Sequence, residues 1–213
     1  MTDVVYVTHE VDPDDETPDI DIDLYVALAA FDWEGITWEV SRADDADAVV
    51  AQVRAAHGPS VVVKPTIAAG ARDTIPTNDP VAASAHARTV LVSGRGAMVQ
   101  PYLESVVSEG ETSVLVIDGE ITHAVRRTPP LTEGGTGGDG TLVPLTDELS
   151  SMAVRVLENS GSSKLLYARV DLVRDAEGEL ALLELELTEP TLFLALHPDA
   201  ARILAAGVAA RLP

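Results

Sequence analysis

Four side chains in the last third of the sequence are spaced for chemistry. Arg169 and Asp171 alternate along LLYARVDLVRD (165–175), and Glu184 and Glu186 alternate along LALLELEL (180–187). In an extended strand, residues two apart point to the same face. Arg169 and Asp171 therefore share one face of the first segment, and Glu184 and Glu186 share one face of the second. The intervening Val170, Leu172, Leu183, Leu185 and Leu187 are apolar and are expected to face a core. The turn AEGE joins the segments into a hairpin, so three carboxylates and one guanidinium converge on one sheet face. Clustered carboxylates repel one another unless a cation sits among them. Hard oxygen ligands at this density suit Mg²⁺ shared with substrate phosphates. The alternative is a solvated polar face carrying a surface Arg–Asp pair.

A second group is Lys64, at the end of the strand-like VVVK (61–64), followed by the small-residue loop PTIAAGARDT. A lysine at a strand end can hold phosphate oxygens while loop N–H groups cradle the rest. The spacing is not that of a Walker motif, and a snorkelling surface lysine is the competing reading. A third segment, VQPYLESVVSEGETSV, ends a strand and opens a loop bearing Glu109 and Glu111. Solvent-facing acids at a sheet edge would look the same. Arg126 and Arg127 could reach phosphates or a substrate carboxylate, since a guanidinium binds either in bidentate fashion, or could simply sit at a solvated edge.

These residues need elements to hold them. Short β-branched runs predict strands at 4–8, 36–40, 61–64 and 97–103. Helical spacing predicts helices over 22–31, 44–57, 79–88, 147–159 and 198–211, with Asp79 and Pro80 opening the third of these. SVLVID (113–118), Gly119 and EITHAVRR (120–127) form a hairpin at Asp-Gly. Residues 128–145, TPPLTEGGTGGDGTLVPL, read as a flexible Gly/Pro loop. Helices mixed with antiparallel hairpins indicate an α+β fold with a short α/β lead-in. The expected division is a lead-in at 1–57 and a main domain at 58–213, itself parted into 58–103 and 104–213.

Composition narrows the function. The 213 residues include no cysteine, which excludes disulfide scaffolds, thiolate zinc sites and cysteine nucleophiles. Net charge is −21, and residues 1–50 hold 15 acids and one base, Arg42. Such a chain repels phosphate backbones, so nucleic-acid binding is not expected. The acidic surface would suit a salt-rich cytoplasm, where self-repulsion is screened. The loop HEVDPDDETPDID lacks the central Gly and closing Glu of an EF-hand. No apolar run is long enough to span a bilayer, and MTDVVYVTHE does not read as a secretory signal. A soluble cytoplasmic protein is expected. No G-x-S-x-G elbow occurs. The histidines show no metal-ligand spacing, and His123 reads as a satisfied core or edge residue.

The three segments occur in one order, and together they resemble the ATP-grasp family. YARVDLVRDAEGELALLELELTEP looks like the family's R-x-D strand, turn and E-x-N/E strand. VVVKPTIAAGARDT looks like its phosphate-gripping lysine strand and flap, and MVQPYLESVVSEGETSVLVIDGEITHAVRR like its hinge strand and following hairpin. The wording is most similar to ligases resembling the O-ureido-serine cyclo-ligase of cycloserine biosynthesis. The resemblance covers roughly residues 60–127 and 165–212. It implies an ATP-grasp fold, two α+β subdomains gripping ATP.

By this resemblance Lys64 contacts ATP phosphates, and Gln100, Tyr102 and Leu103 line an adenine pocket. Glu111 accepts from the ribose hydroxyls. Asp171, Glu184 and Glu186 hold Mg²⁺, and Arg169 stabilises an acyl-phosphate. The implied reaction is ATP-driven activation of a small-molecule carboxylate, then attack by an amine. Glu186 stands where many members have Asn, which adds negative charge. The sequence also departs from the pattern: no lysine precedes Lys64, and the loop at 128–145 is abbreviated and lacks an arginine. Its lead-in reads as shortened. A catalytically degenerate remnant, binding nucleotide or a partner without turnover, is the alternative to an active ligase. A shortened lead-in would expose apolar surface that a homodimer could cover.

Overall fold

The structure is a computed structural model that describes residues 38–66, 71–128, 140–159, 165–187 and 190–212. The expected strand at 4–8, the acidic loop and the helix at 22–31 lie outside the described residues, as do parts of the loops at 65–74 and 128–145. The chain divides into two compact units that meet in sequence between Tyr102 and Leu103.

The first unit contains β1 (Trp38–Val40), α1 (Ala46–His57, entered through a 3-10 turn at Ala43–Asp45), β2 (Val61–Pro65), β3 (Ile75–Thr77), α2 (Pro80–Val92) and β4 (Ala97–Pro101). The strands form one antiparallel sheet in the order β1-β4-β2-β3. In α1 the residues Ala46, Val50 and Val53 recur at helical spacing and are buried. In β2 the alternation is Val61, Val63 and Pro65 buried, Val62 and Lys64 half-buried. One core therefore joins Val50 and Val53 of α1, Ala83, Ala87 and Val90 of α2, and Val61, Val63 and Val99 of the sheet. Asp79 caps α2 by accepting from Val81 N at 2.9 Å, with Pro80 at the first helical position. The helix runs to Val92, one turn past the expectation. β3 was not expected: its three residues follow the loop and pair with β2.

The second unit holds α3 (Glu104–Ser108), β5 (Glu111–Ile117), β6 (Glu120–Arg127), β7 (Gly140–Val143), α4 (Asp147–Asn159), β8 (Tyr167–Arg174), β9 (Leu180–Glu186) and α5 (Pro198–Arg211). Its sheet runs β7-β6-β5-β8-β9, with every neighbouring pair antiparallel. All of β5 is buried at its centre. The β5–β6 turn has Asp118 at φ 51° and Gly119 at φ 84°, the left-handed pair that the Asp-Gly sequence favours. Buried Leu149, Met152, Ala153 and Val156 form the apolar face of α4, which packs on β5 and β9. Leu115, Val125 and Phe193 form a further apolar cluster. β7 corrects the flexible-loop reading of 128–145: residues 140–143 pair with β6, because TLV is a short β-capable run beside a long strand. No helix among the described residues is long and apolar enough to cross a membrane.

Candidate functional site

The α+β architecture places the predicted hairpin as β8 and β9, and the pairing sets Arg169 opposite Glu186 and Asp171 opposite Glu184. A β-bulge between Asp171 and Leu172 produces this register. It also corrects one expectation. Leu183 is the extra residue at the bulge and is half-buried, and Leu182 takes the core position instead. Val170, Leu172, Leu185 and Leu187 are buried as expected.

The Arg169–Asp171 pair is not a solvated surface pair. Asp171 is 0% exposed and Arg169 is 5% exposed. Arg169 donates from Nε to Asp171 Oδ1 at 3.0 Å and from Nη2 to Oδ2 at 2.8 Å, and Nη2 also bonds Glu186 Oε1. Across the sheet, β5 brings Ser113 opposite Asp171. The Ser113 hydroxyl donates to Asp171 Oδ1 at 2.6 Å and accepts from Arg127 Nε at 2.9 Å. Arg127 Nη2 lies 2.6 Å from Asp171 Oδ2 and 2.9 Å from Glu111 Oε2. Arg127, at the end of β6, is itself opposite Glu111.

Four carboxylates thus face two guanidinium groups in a mostly buried setting. With all ionised, two negative charges remain uncompensated. Burial raises the Glu186 pKa to about 7, with Glu184 and Asp171 adding to the rise and Arg169 opposing it. Burial also raises that of Glu111, against the pull of Arg127. Burial works against the charge on Arg169, but Asp171 and Glu186 more than offset it and push its pKa up. One oxygen from each of Asp171, Glu184 and Glu186 lies within 4.8 Å of the others. A compact all-oxygen donor set with surplus negative charge fits a hard divalent cation.

The structure brings Glu111, Arg169, Asp171, Glu184 and Glu186 into the second unit's site. Glu111, to which the resemblance gives a ribose role, is buried, with its Oε2 2.9 Å from Arg127 Nη2, next to the network that holds Asp171. Ser113 and Arg127 complete that network and were not assigned this role from sequence. Arg126, by contrast, donates to Thr112 Oγ1 at 2.9 Å and to the Glu109 carbonyl at 2.6 Å.

Lys64, Gln100 and Tyr102 belong to the first unit. Val62 pairs with Gln100 and Lys64 with Met98, so Lys64 and Gln100 share the sheet face opposite the one that bears Val61, Val63 and Val99. Tyr102 N donates to the Ser60 carbonyl at 3.0 Å, which fixes the strand's exit. Leu103 opens the second unit and stands at the position before α3, with no side-chain cap.

Comparison with known proteins places these features in context. Residues 36–199 match the family described as the ATP-grasp domain of prokaryotic glutathione synthetase. The cycloserine biosynthesis protein DcsG of Streptomyces lavendulae is 34% identical over 190 residues, covering 83% of this chain and 64% of that protein. The chain thus spans a little under two thirds of that relative's length. The crystal structure of D-cycloserine synthetase DcsG superposes with a TM-score of 0.78 at 32% identity, over 87% of this chain and 68% of that one. Two more distant structures share the fold. One is the ATP-grasp ligase PsnB complexed with minimal precursor, Mg and ADP, at TM-score 0.53 and 19% identity, over 82% of this chain and 54% of that one. The other is D-alanyl-alanine synthetase A from Vibrio cholerae, at TM-score 0.59 and 14% identity, over 82% and 58%.

Proposed function

Because the chain belongs to the ATP-grasp family, within the group of prokaryotic glutathione synthetase ATP-grasp domains, we propose that it is an ATP- and Mg²⁺-dependent carboxylate–amine ligase. The observation that carries this reading is the cluster of buried Asp171 with half-buried Glu184 and Glu186, braced by Arg127 and Arg169. In the proposed reaction a substrate carboxylate oxygen attacks the γ-phosphorus of ATP, and ADP leaves. The resulting acyl-phosphate is attacked by an amine, forming the amide bond and releasing phosphate.

Phosphoryl transfer asks for positioning and charge neutralisation more than for covalent chemistry. Asp171, Glu184 and Glu186 would hold Mg²⁺, which when bound neutralises charge on the transferring phosphates. Lys64 contributes a point charge to phosphate oxygens from its sheet face. Gln100, Tyr102 and Leu103 line the adenine, partly through the backbone groups of an extended segment. Arg169 stabilises the acyl-phosphate. Glu111 serves as a positioning residue, since its carboxylate fixes Arg127, and Arg127 with Ser113 fixes Asp171. The likeness to a cycloserine synthetase supports small amino-acid-derived carboxylates and amines as the first substrates to try.

The test is ADP release measured against a panel of such carboxylates and amines. The expected result is turnover that requires both partners and is lost in Glu184→Ala. ADP formation that ignores the carboxylate and amine would count against the ligase reading, and ATP binding without any turnover would favour a non-catalytic nucleotide-binding role.

A further inference from the structure

The Asp171 carboxylate has no acceptor capacity to spare. A carboxylate offers about four lone-pair sites. Ser113 Oγ and Arg169 Nε donate to Oδ1, and Arg127 Nη2 and Arg169 Nη2 donate to Oδ2. The two arginines are held differently. Arg127 is also tied to Glu111, through the same Nη2, and to Ser113, through Nε, and both of these partners are buried. Arg169 instead reaches past Asp171 to Glu186, a half-buried residue on β9, the edge strand of the sheet.

A divalent cation held by Asp171 and Glu186 needs a lone pair from each, and Arg169 Nη2 engages both. Arg127 and Ser113 are locked into each other, so Arg169 is the partner that can yield. We infer that Arg169 and a divalent cation compete for Asp171 and Glu186, so that cation binding releases the Arg169 guanidinium from the cluster. The inference rests on the reading of Asp171, Glu184 and Glu186 as cation ligands and adds an order of events to it. The guanidinium becomes available to an anionic group of the substrate once the cation has replaced it among the carboxylates.

The test uses the full chain with Mn²⁺ as the probe, titrated by calorimetry or by the electron paramagnetic resonance signal of free Mn²⁺. Competition predicts that Arg169→Gln binds Mn²⁺ at least about tenfold more tightly than wild type, because it removes a positive charge at contact distance from the ligand oxygens. Arg169→Lys, with one prong instead of a fork, falls between the two. Equal or weaker binding in Arg169→Gln overturns the inference, since a guanidinium that only braced the ligands would leave them misplaced when removed. If Arg169→Gln does not fold alone, Mn²⁺ should restore its near-ultraviolet circular dichroism where NaCl of equal ionic strength does not, and failure to do so is equally fatal. Wild type gives an independent readout. Saturating Mg²⁺ should shift the Nε–H resonance of Arg169 and leave that of Arg127 in place; an unmoved Arg169 signal overturns the inference. Glu184→Ala separates this idea from the reading beneath it. Mn²⁺ bound by wild type and lost in Glu184→Ala, with no gain in Arg169→Gln, removes the competition alone. No Mn²⁺ bound by wild type or by Arg169→Gln removes the cation site as well.

Discussion

Asp171 accepts from two guanidinium groups and a hydroxyl while fully buried. Removing one partner of a buried ion pair leaves the others charged and uncompensated. Asp171→Asn is therefore expected to lower stability by roughly 3–5 kcal/mol and to abolish cation binding. Chemical denaturation and Mn²⁺ titration of the variant check both. Glu186 gives a pH dependence. Its folded pKa is raised above the ordinary 4.5 to about 7, so between those values the native state holds more protons than the unfolded one. Stability then falls as pH rises from about 4.5 to about 7, and levels off above. Cation binding runs the other way, since the proton and the cation compete for one carboxylate. Mn²⁺ affinity should weaken as pH drops below about 7, and Glu186→Gln should flatten that profile. A wild-type affinity constant from pH 5.5 to 8 would contradict this.

At the scale of elements, much was legible in the residues and the remainder hung on bulges. Alternation along β8 and β9 placed Arg169 with Asp171 and Glu184 with Glu186. A hairpin laid out strictly from its turn, however, would set Asp171 opposite Leu183 and Glu111 opposite Arg126. One extra residue in β9, at Leu183, and one in β6, at Thr122, shift the registers to Glu184 and Arg127. Periodicity gives no sign of where such a residue falls, which is why the pairing of Arg127 with Glu111 went unread; Ser113 meets Asp171 through the pairing of β5 with β8, strands that do not follow one another in sequence. β3 and β7 were missed because runs of three or four residues beside Gly and Pro carry little signal. Gly110 lies between α3 and β5 at φ 80°, and a Cβ there would collide with the Arg127 carbonyl oxygen. Gly110→Ala is expected to cost about 2–3 kcal/mol and to disturb the Arg127 end of the site, which denaturation together with Mn²⁺ titration would show.

The same scale explains His123. Its ring lies buried in β6, stacked on His197 at 4.9 Å. The Leu192 carbonyl, 3.1 Å from Nε2, can only accept, so Nε2 carries the hydrogen and Nδ1 accepts from the Thr122 hydroxyl at 2.8 Å. His197 in turn caps α5 by accepting from Ala200 N. Burial, then the neighbouring His197, lowers the His123 pKa below 6.5. The unfolded chain therefore takes up the proton first, and stability is lost as pH falls below about 6.5. His123→Gln should shrink the difference in melting temperature between pH 5 and pH 7.5. An undiminished difference would place the acid sensitivity elsewhere.

Over the whole molecule, 35 acids against 14 bases leave a charge of −21. Exposed pairs such as Arg88–Asp47 and Arg95–Asp73 contribute little each, so screening of self-repulsion outweighs their loss. The melting temperature should rise from low salt to about 1 M NaCl. The sequence carried the family through three ordered segments, one in the first unit, one running from the first unit into the second, and one in the second, and the fold of each unit agrees with it. Whether the carboxylate cluster serves a nucleotide is decided by calorimetric titration of ATP with Mg²⁺ into wild type and Glu184→Ala. Wild type is expected to bind at micromolar concentration, and binding should disappear in the folded variant. A folded wild type that binds no ATP, or binding that survives Glu184→Ala unchanged, would contradict the nucleotide role.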